Sequence, residues 1–101
     1  MQRPDYNQME ISMNFDRNAF EKTVLLSAIN NSEQKNMMSD ELLRELMGKY
    51  EKEDICKSLD HLYAMGLIEQ STLRGAGGHI SLWAPVLTRS GEIAAESIRG
   101  D

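Results

Sequence analysis

Apolar side chains recur at three- and four-residue spacing in three successive stretches of the chain, and each stretch predicts a helix with one buried face. The first helix is expected over 14–30, where Phe20, Val24, Leu25, Ala28 and Ile29 share that face. Asn14 or Asp16 can cap its start, and Asn30-Asn31-Ser32 supplies a stop. A polar linker is expected over 32–38. Ser39 is then a good N-cap, followed by Asp40 and Glu41, whose carboxylates favour the positive end of a helix. Leu42, Leu43, Leu46 and Met47 form the apolar stripe of this second helix, which Gly48 is expected to end. After the turn Lys49-Tyr50-Glu51, a third helix over about 52–65 turns Ile55, Cys56, Leu59, Leu62 and Tyr63 inward. Gly66 closes it, because glycine takes the left-handed conformation of a helix C-terminus without penalty.

The period then changes. Residues 67–73 read as a strand, Arg74-Gly75-Ala76-Gly77-Gly78 as a turn, and 79–86 as a second strand alternating Ile80, Leu82 and Ala84 on one face. Pro85 places that strand at an edge or at its own end. Thr88 caps a last helix with Ile93, Ala94 and Ile98 as its apolar positions. Residues 1–13 have no clean period and read as a flexible arm, with Met9, Ile11 and Met13 as a short strand or docking segment. The domain itself is expected over 14–99.

Composition narrows the classes. A chain of 101 residues makes one small domain, and 41% hydrophobic with 27% charged residues is an ordinary folding composition. No segment approaches the roughly 18 apolar residues of a membrane span, and Met1 opens a polar stretch rather than a secretory signal. No membrane association is expected. The single Cys56 cannot form an intrachain disulfide and suits a reducing cytoplasm. Sixteen acids against eleven bases give a net charge of −5, which opposes non-specific attraction to nucleic acid.

The order helix, helix, short turn, helix, glycine, hairpin, helix resembles a winged helix-turn-helix domain. Ile55 through Ile68, with Leu59 and Leu62 three apart and Gly66-Leu67-Ile68 at the end, looks like the junction between the third helix and the wing of that family. Leu87-Thr88-Arg89-Ser90-Gly91 is similar to its Leu-Thr-x-x-Gly start of the helix after the wing, as found in small bacterial and phage-type regulators. The resemblance implies a mainly α fold with a small β-hairpin: three helices, a two-stranded wing and a C-terminal helix. It also implies a DNA-binding transcriptional regulator, dimeric through its first and last helices (Phe20, Val24, Ile93, Ile98). The third helix and the wing tip at 74–78 would then face double-stranded DNA. Carried over position by position, the contacts would be Lys52, Lys57, Ser58, His61 and Arg74.

The charges on that surface open a second reading. Glu53, Asp54 and Asp60 stand among the expected DNA contacts, whereas 67–87 carries only Glu69 and Arg74 and sums to zero. Lys49, Lys52 and Lys57, with Arg44, form either a basic strip or a set of weak pairs with Glu45, Glu53 and Asp60. The alternative is an acidic protein-interaction module. Its third helix would meet a basic partner, or Trp83, on the opposite side of its strand from Ile80, Leu82 and Ala84, would dock an apolar one. Trp83 could instead pack under the arm or the last helix. Seven methionines fill core gaps and also suit adaptable contact surfaces. No metal, cofactor or enzymatic activity is expected. Cys56 and His61 are five apart, off the four-residue spacing of helical ligands, and 74–78 lacks the Gly-Lys-Ser/Thr ending of a phosphate loop.

Overall fold

The structure, a computed structural model, describes residues 15–100, so the expected arm over 1–13 and Asn14 as a cap lie outside the described residues. Among the described residues, four α-helices and one antiparallel hairpin follow in chain order: α1 (Arg17–Ile29), α2 (Asp40–Lys49), α3 (Lys52–Ala64), β1 (Thr72–Arg74), β2 (Ile80–Leu82) and α4 (Arg89–Arg99). Three helices start on side-chain caps read from the sequence. Asp16 Oδ1 accepts from the Ala19 N–H at 3.2 Å, Ser39 Oγ from Leu42 at 3.1 Å and Thr88 Oγ1 from Gly91 at 3.0 Å.

The helix ends are less local. α2 runs through Gly48 to Lys49 instead of stopping at the glycine. Its end is set by Tyr50, which is extended and packs its ring 5.1 Å from Phe15 and 6.1 Å from Phe20 between centroids. α3 ends as expected at Gly66, which is left-handed at φ +77. The Leu67 N–H donates to the Leu62 carbonyl and the Gly66 N–H to that of Tyr63, the paired bonds of a Schellman cap.

The hairpin is shorter than its sequence pattern. Pairing is limited to Thr72↔Leu82, Leu73↔Ser81 and Arg74↔Ile80, with a single 3-10 turn, Ala76–Gly78, at the tip. Before β1 the chain touches its partner through one bridge, Ile68↔Leu87. After β2 it passes through Ala84 and Pro85, both buried. Proline has no N–H for the ladder, but the Pro85 carbonyl accepts from the Met38 N–H at 3.0 Å, and Val86 bridges to Met37. The stretch expected to be a polar linker therefore lays Met37 and Met38 along the base of the hairpin, and Met38 is fully buried.

α1 packs against α4 and α3, and α3 packs against both strands. Between them lies one core that includes Val24, Ala28, Met38, Ile55, Leu59, Leu62, Ile68 and Ala95. Each large aliphatic side chain there contributes about 1.5–3 kcal/mol by leaving water. Phe20 and Val24, expected as dimer contacts, belong to this core; Ile93 and Ile98 stay on the surface. Two further expectations for α3 are corrected. Tyr63 is exposed rather than inward, because the last turn, with Ala64 and Met65 also exposed, projects beyond the elements that cover Cys56. Ser58 is buried, because α1 and the hairpin together cover a wider face of α3 than the Ile55–Leu59–Leu62 stripe marks out.

Candidate functional site

Glu53 and Asp60 are seven residues apart on α3, so they stand on the same side, two turns from each other. Thr72 and Arg74 are two apart on β1 and point to the same face of the hairpin. Packing of the hairpin on α3 brings the two pairs together. The Arg74 guanidinium forks onto Glu53, with Nη2 3.2 Å from Oε2 and Nη1 3.4 Å from Oε1, and Nη2 lies 3.5 Å from Asp60 Oδ2. The Thr72 hydroxyl donates to Asp60 Oδ1 at 2.5 Å. The fork on Glu53 favours the charged guanidinium and pushes the Arg74 pKa further up.

Cys56 lies one turn before Asp60, its Sγ 3.7 Å from Oδ2. Burial first, and the Asp60 carboxylate second, push the thiol pKa up. A thiol held protonated is a poor nucleophile and a poor ligand. Among the described residues no three His, Cys, Asp or Glu side chains converge on a metal position, and no helix is long and apolar enough to cross a membrane.

The expected DNA contacts do not form one surface. Lys52 and Lys57 are exposed on α3. Ser58 is not available: its Oγ is buried without a hydrogen-bond partner. His61 turns toward α1, where Nδ1 lies 2.8 Å from Oε2 of the buried Glu21, itself 3.7 Å from Arg17 Nε. Arg74 points back over α3 rather than away from the hairpin tip. The lysine pairs considered from sequence do not occur among the described residues; Glu53 and Asp60 pair with Arg74, and Lys49 Nζ lies 5.5 Å above the Tyr50 ring. Trp83 is 45% exposed, and Leu73 is 57% exposed on the strand opposite.

Sequence reasoning missed Glu21, Thr72 and Leu73. The seven-residue spacing of Glu53 and Asp60 was the signal available for the Arg74 cluster. Nothing local pointed Glu21 at His61. Comparison with protein-family models, curated proteins and solved structures gives no match for this chain.

Proposed function

We propose that this chain is a winged helix-turn-helix domain that serves as a protein-interaction module rather than as a reader of DNA. The architecture supports the first half. α2, a two-residue turn and α3 stand in helix-turn-helix order, a hairpin follows in the place of a wing, α4 returns behind it, and the Met37–Val86 bridge adds a third edge at the hairpin base. Fold by itself does not assign a function.

The observation that carries the second half is the position of Arg74. A DNA reading needs this cation on phosphate, yet it lies across Glu53 and Asp60 of the helix that would enter the groove. To reach DNA it must leave both carboxylates, and each one uncovered adds an anion beside the phosphates. Lys52 and Lys57 favour the DNA reading, but they stand beside Glu51, Glu53, Asp54 and Asp60.

Fluorescence anisotropy of a random-sequence duplex tests the choice. The interaction reading expects no binding even at ~20 mM salt, where phosphate contacts are strongest. Binding with a log–log salt slope of about −2 to −4, lost in Lys57→Glu, overturns it in favour of DNA.

A further inference from the structure

One edge of the hairpin carries unpaired backbone groups. The Trp83 N–H donates to the Ser71 carbonyl at 3.0 Å, and the Gly75 N–H to the His79 carbonyl at 2.7 Å. With Leu73 opposite Ser81, the odd-numbered residues of both strands therefore hold the ladder. The N–H and C=O groups of Ile80 and Leu82 point the other way, out of β2, and among the described residues nothing bonds them. At its base the same edge is already used for pairing. There the Met38 N–H donates to the Pro85 carbonyl at 3.0 Å and the Leu87 N–H to that of Asn36 at 2.7 Å. Beyond that bridge the edge is open, since β1 and α3 are the elements that pack on β2. It also lacks the charged side chains that keep exposed strands apart: no Asp, Glu, Lys or Arg occurs from Gly75 to Thr88. The edge along β1 is guarded. Gln70 Nε2 donates to the Thr72 carbonyl at 3.1 Å, and Glu69 and Arg74 set charge beside it.

We propose that the open edge pairs with a second copy of this chain, β2 against β2, antiparallel about a two-fold axis at Ser81. An open ladder takes up another extended backbone. A second copy supplies one without repulsion at the contact, because the strands that meet are neutral although each chain carries −5. The register follows from the unpaired groups. Centring on Ser81 sets Ile80 of each copy against Leu82 of the other in hydrogen-bonded pairs, so every one of those groups is satisfied. A centre on Ile80 or on Leu82 would satisfy one residue and leave the other open. The Ser81 register also sets the exposed Trp83 opposite His79 of the partner subunit, which covers part of the indole. The inference goes beyond the protein-interaction reading above and does not depend on it.

The interface is short, so the dimer is weak. Sedimentation of the full chain should show its mass rising from one chain toward two between about 10 µM and 1 mM. Amide exchange followed by NMR over the same range should show Ile80 and Leu82 gaining protection with concentration, while Leu73, Ser81 and Trp83 do not change. Ile80→Pro removes an outward N–H and leaves the ladder of the hairpin intact; His79, at φ −67 and ψ 133, already has the conformation that precedes a proline. Ser81→Lys sets two ammonium groups opposite each other across the axis. Each should raise the dissociation constant about ten-fold or more. Leu73→Ser and Ile98→Ser, on other exposed surfaces, should leave it unchanged. Circular dichroism verifies that the variants are folded, and if both edge variants fail to fold, the amides of the unaltered chain decide. A chain that stays single at about 1 mM overturns the inference. So does a dimer that survives both edge variants, or one in which the Ile80 and Leu82 amides gain no protection. A dimer lost in Leu73→Ser or Ile98→Ser also overturns it, and places the contact on the hairpin face or on the helices.

Discussion

Gly91 presses against the carbonyl of Leu67: a Cβ at position 91 would lie 1.9 Å from that oxygen. The same oxygen accepts the Thr88 N–H at 3.0 Å, and the Thr88 hydroxyl donates to the Gly66 carbonyl at 2.6 Å. The turn that ends α3 and the turn that starts α4 are therefore one joint, built from two short motifs far apart in the chain. Gly91→Ala should cost about 3 kcal/mol, since neither backbone can retreat without breaking that joint. Gly48, inside α2 with nothing within 4 Å of its missing Cβ, is the control. Gly48→Ala should stabilise by about 0.5–1 kcal/mol. Urea unfolding of both variants measures the contrast.

Ser58 buries a hydroxyl that finds no partner. Removing an unsatisfied buried polar atom is neutral or favourable, and alanine is the better helix former. Ser58→Ala should raise stability by about 0.5–1 kcal/mol, read from the urea midpoint. A loss of stability would mean that the hydroxyl is bonded in solution.

Glu21 and His61 link α1 to α3 across the core edge, at 2.8 Å. Glu21 is buried, so truncating His61 leaves its carboxylate with Arg17 as its remaining charged partner, while truncating Glu21 leaves the half-exposed imidazole to solvent. A double-mutant cycle with Glu21→Ala and His61→Ala should give a coupling of about 1 kcal/mol. Additive effects would show that the contact does not hold the helices together.

Cys56 should be slow to alkylate. Its thiol pKa is raised in the folded state by burial and by Asp60, so less thiolate is present at any given pH than in the unfolded chain. The raised pKa also sets a sign for stability. The stabilising contribution is whole below the ordinary thiol range and is lost as pH climbs through the folded value. Maleimide labelling in buffer and in urea, and unfolding at rising pH, measure the two effects. Equal labelling rates in both solvents would refute the account.

The expected DNA surface divides between residues whose fate is local and residues whose fate is not. Lys52 and Lys57 are exposed, as their helical positions suggested. Ser58 was misplaced because a helical projection shows where the most apolar stripe lies, not how many neighbours cover its margins. Arg74 is exposed and His61 half-exposed, and each also meets a carboxylate on another element, which no local pattern announced.

What the chain encodes locally was legible without coordinates. The 3.6-residue period located the helices, Asp16, Ser39 and Thr88 marked three starts, and Gly66 marked a stop, because caps and turns are made among residues a few positions apart. The hairpin was legible as a change of period, but its length was not. Pro85 and the Met37–Met38 segment, brought together only by folding, decide where pairing stops. The placement of Arg74 across Glu53 and Asp60, the burial of Ser58 and the exposure of Leu73 beside Trp83 were likewise decided by tertiary structure. Each depends on how the hairpin lies against α3. That docking is set by packing between distant segments, and no periodicity within either segment records it.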